Sequence, residues 1–139
     1  MDDLDYVLQV ITPWIDQYIS QGPDALSERK LVGVGVWTLD AEVNNGGFLQ
    51  YYFNSRGRLA KQTVKALRSI GARDTAGALE AANAEIPCWP LPENREERIE
   101  ILEQVAERAR FATLETEYYQ QNEDRIHLLA QYLRSTSDA

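Results

Sequence analysis

Apolar residues recur along this chain at helical intervals almost from its first position. Leu4, Val7, Leu8, Ile11, Ile15, Tyr18 and Ile19 form one stripe, with the period of an amphipathic helix. Thr12-Pro13 interrupts it. Proline lacks an amide proton and disfavours helix at the residue before it. The stripe therefore predicts one kinked helix, or two short helices with Thr12 capping the second, ending near Ser20. Gln21-Gly22-Pro23 reads as a connector. The next helix is expected to start at Asp24 or Ser27 and to bury Leu31, Val34, Trp37 and Leu39. Its run VGVGVW also fits a buried strand. No other strand is available to pair with it, and an isolated strand is unstable. Helix is predicted, with Gly33 and Gly35 admitting a close neighbour.

The pattern then turns sharply. Residues 42–57 read EVNNGGFLQYYFNSRG. Asn44-Asn45-Gly46-Gly47 stops the helix, since glycine and asparagine accept the left-handed backbone that closes a helix end. Phe48, Tyr51 and Tyr52 restart an apolar face at i, i+3, i+4. Asn54 and Gly57 supply the next exit. This stretch predicts a helix–turn–helix corner rich in aromatics and amides.

Leu59, Val64, Leu67 and Ile70 mark another helix, ended by Gly71. Asp74 is expected to cap an alanine-rich helix reaching about Glu85. Ile86 to Asn94, with three prolines, is a loop that Trp89 plugs onto the core. Helix resumes at Glu93 or Asn94 and runs to about Arg110. Phe111 to Arg134 predicts two helices with a bend, the second starting at Asn122-Glu123-Asp124. Residues 135–139 are expected to be a disordered tail. The sum is one all-α domain over residues 1–139, with about six to eight helices.

EVNNGGFLQYYFNS, with Gly57 after it and Ile70-Gly71-Ala72 further on, resembles the signature of a bacterial family of acidic, all-helical proteins. The likeness is specific over about residues 39–72. The family's characterised type is a DNA mimic, a dimer whose carboxylates occupy the DNA-binding face of a helix-turn-helix transcription factor. The resemblance implies the fold, with Glu42, Asn44, Asn45, Gly46, Gly47, Phe48, Gln50, Tyr51, Asn54 and Gly57 as its structural corner. It also offers mimicry as a function.

Charge gives that offer some content. The net charge is −8 over 139 residues. Residues 56–73 hold no acid and six bases, while the segments before and after are both acidic. Most of such a surface repels free nucleic acid and suits a basic protein partner. Solubility alone is the plainer reading. The single cysteine, Cys88, excludes an internal disulfide. The N-terminal MDDLDYVL is acidic where a secretory signal is basic, and no apolar run approaches the ~20 residues of a membrane span. A cytoplasmic protein is expected.

The sharpest feature is a ladder: Glu93, Glu96, Glu100, Glu103 and Glu107. On a helix these fall within a band about 80° wide. Ile99, Leu102, Val105, Ala106 and Ala109 centre on the opposite side, so the ladder is expected to face solvent. Like charges at this spacing repel by a few tenths of a kcal/mol per pair. The ladder offers one charge per roughly 5.3 Å, against one per about 3.4 Å of a DNA strand. Two ladders related by a two-fold axis, with Asp2, Asp3, Asp5 or Glu115, Glu117 added, approach duplex density. Mimicry therefore predicts a homodimer, matching partners whose recognition elements sit about 34 Å apart. A solvated glutamate face is the alternative.

Other constellations are weaker. The amides Asn44, Asn45, Gln50 and Asn54, with Glu42 and the tyrosines, suit either a small-molecule pocket or a polar network satisfying helix ends. Glu42 sits where the helix dipole opposes a carboxylate, so a specific donor is expected. Arg58, Lys61, Lys65 and Arg68 form a basic edge, for phosphate or for the protein's own acids. His127, with Asp124 and Glu123, lacks the partner motifs of a helical metal site. Cys88 lacks an activating context, and no carboxylate pair is marked out for acid–base work. No enzyme activity, metal or cofactor is expected. The leading expectation is a DNA mimic that blocks a transcription factor or other basic DNA-binding protein. The alternatives are an immunity protein neutralising a basic nuclease toxin, and a small-molecule binding domain at the corner.

Overall fold

The computed structural model describes residues 1–108, 110–120 and 123–138, with Arg108 described by its backbone alone. Seven α-helices and one 3₁₀ turn are found among them: α1 (Asp3–Gln21), the turn (Pro23–Ala25), α2 (Glu28–Ser55), α3 (Ala60–Ser69), α4 (Arg73–Asn83), α5 (Arg95–Arg108), α6 (Phe111–Gln120) and α7 (Arg125–Ser135). Among the described residues the class is all-α, as the periodicity predicts. Ala109 and Asn122, which figure in the predicted α5 face and α7 start, lie outside the described residues.

The helix α2 is the axle, packing against α1, α3, α5, α6 and α7. One core joins residues of all seven helices, from Val7 and Ile11 through Leu39, Phe48 and Tyr52 to Leu102, Tyr118 and Leu133. Gly33 and Gly35 make the tight packing of α2 possible. A methyl on Gly33 would meet the Trp14 ring at 3.0 Å, and one on Gly35 the Thr63 hydroxyl at 2.6 Å.

The corner is a kink within one helical span. Gly46 (φ −156°, ψ 16°) and Gly47 (φ 79°, ψ −174°) leave helical geometry, and the helix resumes at Phe48. Phe48 is then fully buried, with its ring about 6 Å from those of Phe111 and Tyr118. At the exit Gly57 takes a positive φ of 71° as expected, preceded by Arg56, rather than Asn54, at φ 56°.

Of the two readings of α1, the single helix is found, with Pro13 inside it. The carbonyl left without an amide belongs to Gln9, which is exposed along with Pro13, so water can serve it. Thr12 caps nothing; its hydroxyl donates to the Leu8 carbonyl at 2.5 Å. Asp74 does not cap α4. The carboxylate of Glu123, just before α7, accepts the amides of Asp74 (2.6 Å) and Thr75 (3.0 Å) instead. Beyond α7, Thr136 and Asp138 make polar contacts with the start of α2. Arg29 donates to the Thr136 hydroxyl at 3.0 Å, and Ser27 to the Asp138 carboxylate at 2.5 Å.

Candidate functional site

The helix α5 starts because Asn94 stops the proline loop. Its side chain accepts the Glu97 amide at 2.9 Å, the usual office of an N-cap. Glu93 therefore stands before the helix, not on it. Its carboxylate takes Arg58 and, at 3.4 Å, Arg56. The first member of the predicted ladder is thus spoken for, because the loop brings it back to the end of α2.

Glu96, Glu100, Glu103 and Glu107 remain, all exposed. They run about 17 Å along the helix within a band about 60° wide. Glu97 is also exposed beside them. Leu102 and Val105 are buried on the opposite side, whereas Ala106, expected there too, is exposed. Arg98 completes the buried face. Its guanidinium lies 4.7 Å from the centre of the Phe53 ring and donates to the carbonyls of Pro92 and Glu93. Burial, then the nearby Arg56 and Arg95, draw its pKa below the ordinary arginine value. Arg95 also stacks on Phe53, at 5.7 Å. Both arginines of the first two turns are thereby turned from the glutamates. Among the described residues, no cation pairs with Glu96, Glu97, Glu100, Glu103 or Glu107.

The supplementary acids are mostly occupied. Asp2 caps α1 through the Asp5 amide. Asp3 holds His127 Nδ1 at 2.7 Å and Arg134 at 2.8 Å. Those two partners, His127 first, lower its pKa. Their contribution is present above the ordinary aspartate pKa and fades as pH falls through the lowered one. Glu115 reaches into the corner, where its carboxylate accepts the Phe48 amide at 2.8 Å. Asp5 and Glu117 are exposed.

The corner amides separate into two groups. Gln50 and Asn54 both donate to Glu42 Oε2 at 2.8 Å, the specific donors that its place near a helix end demands. Asn44 and Asn45 are exposed and do not join them. The basic edge is engaged with the protein's own groups: Arg58 with Glu93, Lys65 with Glu28, Arg68 with Glu80, and Lys61 over the Trp89 ring at 5.1 Å. His127 is exposed, and no group of three or more metal-ligating side chains occurs among the described residues.

Sequence reasoning missed a polar network beneath the corner. Asp40 accepts from Tyr118 at 2.6 Å and Arg125 at 2.8 Å. Arg125 also donates to Thr75, whose hydroxyl donates to Glu123. Burial and the Asp40 charge raise the Tyr118 pKa, which keeps its proton on the hydrogen bond. Asp40 on a mostly buried stretch of α2 was the available signal, because a buried carboxylate needs a partner.

The family profile for DMP19-like protein matches residues 24–136. The chain belongs to the DMP19-like protein family. The matched stretch contains α2 through α7 and leaves α1 outside. No curated protein and no solved structure matches the chain. Among its described residues, no helix of this DMP19-like protein is long and apolar enough to cross a membrane.

Proposed function

We propose that this DMP19-like protein is an acidic DNA mimic. Its α5 face occupies the basic surface of a DNA-binding protein, such as a helix-turn-helix transcription factor, and keeps it off DNA. The observation that carries this reading is the row Glu96, Glu100, Glu103 and Glu107, exposed and without a paired cation among the described residues, while Arg95 and Arg98 lie against Phe53. Such a row binds a cationic surface by releasing the counterions it holds itself, much as a phosphate backbone does. Family membership supports the same reading. The protein acts by binding, without catalysing a reaction, and a homodimer supplies the second row that duplex charge density requires. Sedimentation velocity tests the dimer.

The decisive experiment immobilises the protein, loads native lysate at low salt and elutes with rising salt. DNA-binding proteins are expected in the eluate, displaceable by duplex DNA. The variant Glu96→Lys/Glu100→Lys/Glu103→Lys is expected to retain none of them. Capture that survives this reversal would remove α5 as the binding face. Capture insensitive to duplex DNA would remove mimicry. A nuclease eluting in place of a transcription factor would redirect the reading to an inhibitor of a basic toxin.

A further inference from the structure

A second site is lined by α1, α2 and the chain entering α3, and by none of the α5 glutamates. The end of α1, the middle of α2 and the chain entering α3 enclose a cavity of about 330 Å³. That volume lies at the small end of ligand pockets. Tyr18, Glu42, Tyr51, Arg56, Arg58 and Leu59 are among its walls.

Three observations give the cavity a chemistry. First, Tyr18, Ile19 and Leu59 give its wall apolar surface. Second, Glu42 is oriented without being neutralised. Gln50 and Asn54 hold its Oε2, and among the described residues no cation pairs with it. Third, Arg56 and Arg58 meet at the rim on one carboxylate, Glu93, whose side chain is 74% exposed. Arg56 reaches that place from a left-handed backbone that glycine would occupy more easily. An exposed carboxylate on a pair of arginines is readily exchanged for another.

We propose that the cavity binds a small zwitterion, an apolar amino acid or a dipeptide. Its carboxylate replaces Glu93 on Arg56 and Arg58. Its ammonium takes Glu42, and its apolar body lies against Tyr18 and Leu59.

The test is thermal shift followed by calorimetry, with L-leucine, L-phenylalanine and glycyl-L-phenylalanine as probes. Phenylpropionate and phenethylamine each carry half of the required charge. At least one zwitterion is expected to bind saturably, and neither half-compound to match it. Arg56→Gly and Glu42→Gln are expected to weaken binding by at least about tenfold each. Both should fold: φ 56° at residue 56 suits glycine, and a glutamine oxygen can still accept from Gln50 and Asn54. Glu100→Gln should leave binding unchanged. The proposal is overturned if none of the three zwitterions binds at millimolar concentration, or if binding survives both variants.

Discussion

Around the Gly46–Gly47 bend each carboxylate has a task inside the molecule, whereas along α5 the carboxylates are left to water. Asp40 holds Tyr118 and Arg125, Glu42 gathers two side-chain amides, and Glu115 takes the Phe48 amide where α2 restarts. The α5 glutamates have no such work among the described residues. The difference comes from what lies within reach. A bend exposes backbone donors that need acceptors, and acids close to it are drawn inward. The middle of a regular helix offers no free backbone group, so its outward acids stay free for another molecule. Net charge alone therefore overstates the surface a partner meets, and α5 carries a disproportionate share of what remains.

That contrast can be broken at either end. The largest effect is expected from Arg125→Ala, which strands Asp40 in a pocket where both side chains are less than 15% exposed. Breaking a buried pair in this way costs about 3–5 kcal/mol, readable as a fall in urea midpoint. Gly47→Ala should come next. It forces a side chain onto φ 79° and puts a carbon 2.2 Å from Glu115 Oε1. With ψ −174° this is an extended positive-φ backbone essentially reserved for glycine, which costs a side chain on the order of 1–3 kcal/mol, and loss of the Glu115 cap adds about 1 kcal/mol. The smallest effect belongs to Glu100→Gln/Glu103→Gln. Relieving like-charge contacts should leave stability unchanged or raise it by a few tenths of a kcal/mol. A loss above about 1 kcal/mol there would mean that these acids also have internal partners, and the contrast would fail.

Much of the fold was legible because its signals are local. The periodicities of α1, α3 and α5, the Ser27 start of α2 and the double-glycine bend all depend on residues within a few positions of each other. The failures are cases where a distant group supplied the partner. Nothing near Asp74 announces that Glu123, 49 residues away, caps α4. Nothing near Glu93 announces the arginines that follow α2. The ladder was readable in its helical part, and its loop member was not. The cavity beside Tyr51 was unreadable, since α1, α2 and α3 meet there by tertiary packing. Of the four amides read as either a pocket or a polar network, Asn54 lines the cavity, while Asn44, Asn45 and Gln50 do not.

Gly33 and Gly35 sit two residues apart on α2 and so point to nearly opposite sides, one at Trp14 on α1 and the other at Thr63 on α3. Together they set the thickness of the sandwich. A larger residue at Gly35 must displace the neighbouring backbone, because Thr63 is short and buried. Gauge on one flank is independent of gauge on the other, so a relative could widen one seam while keeping the opposite seam closed.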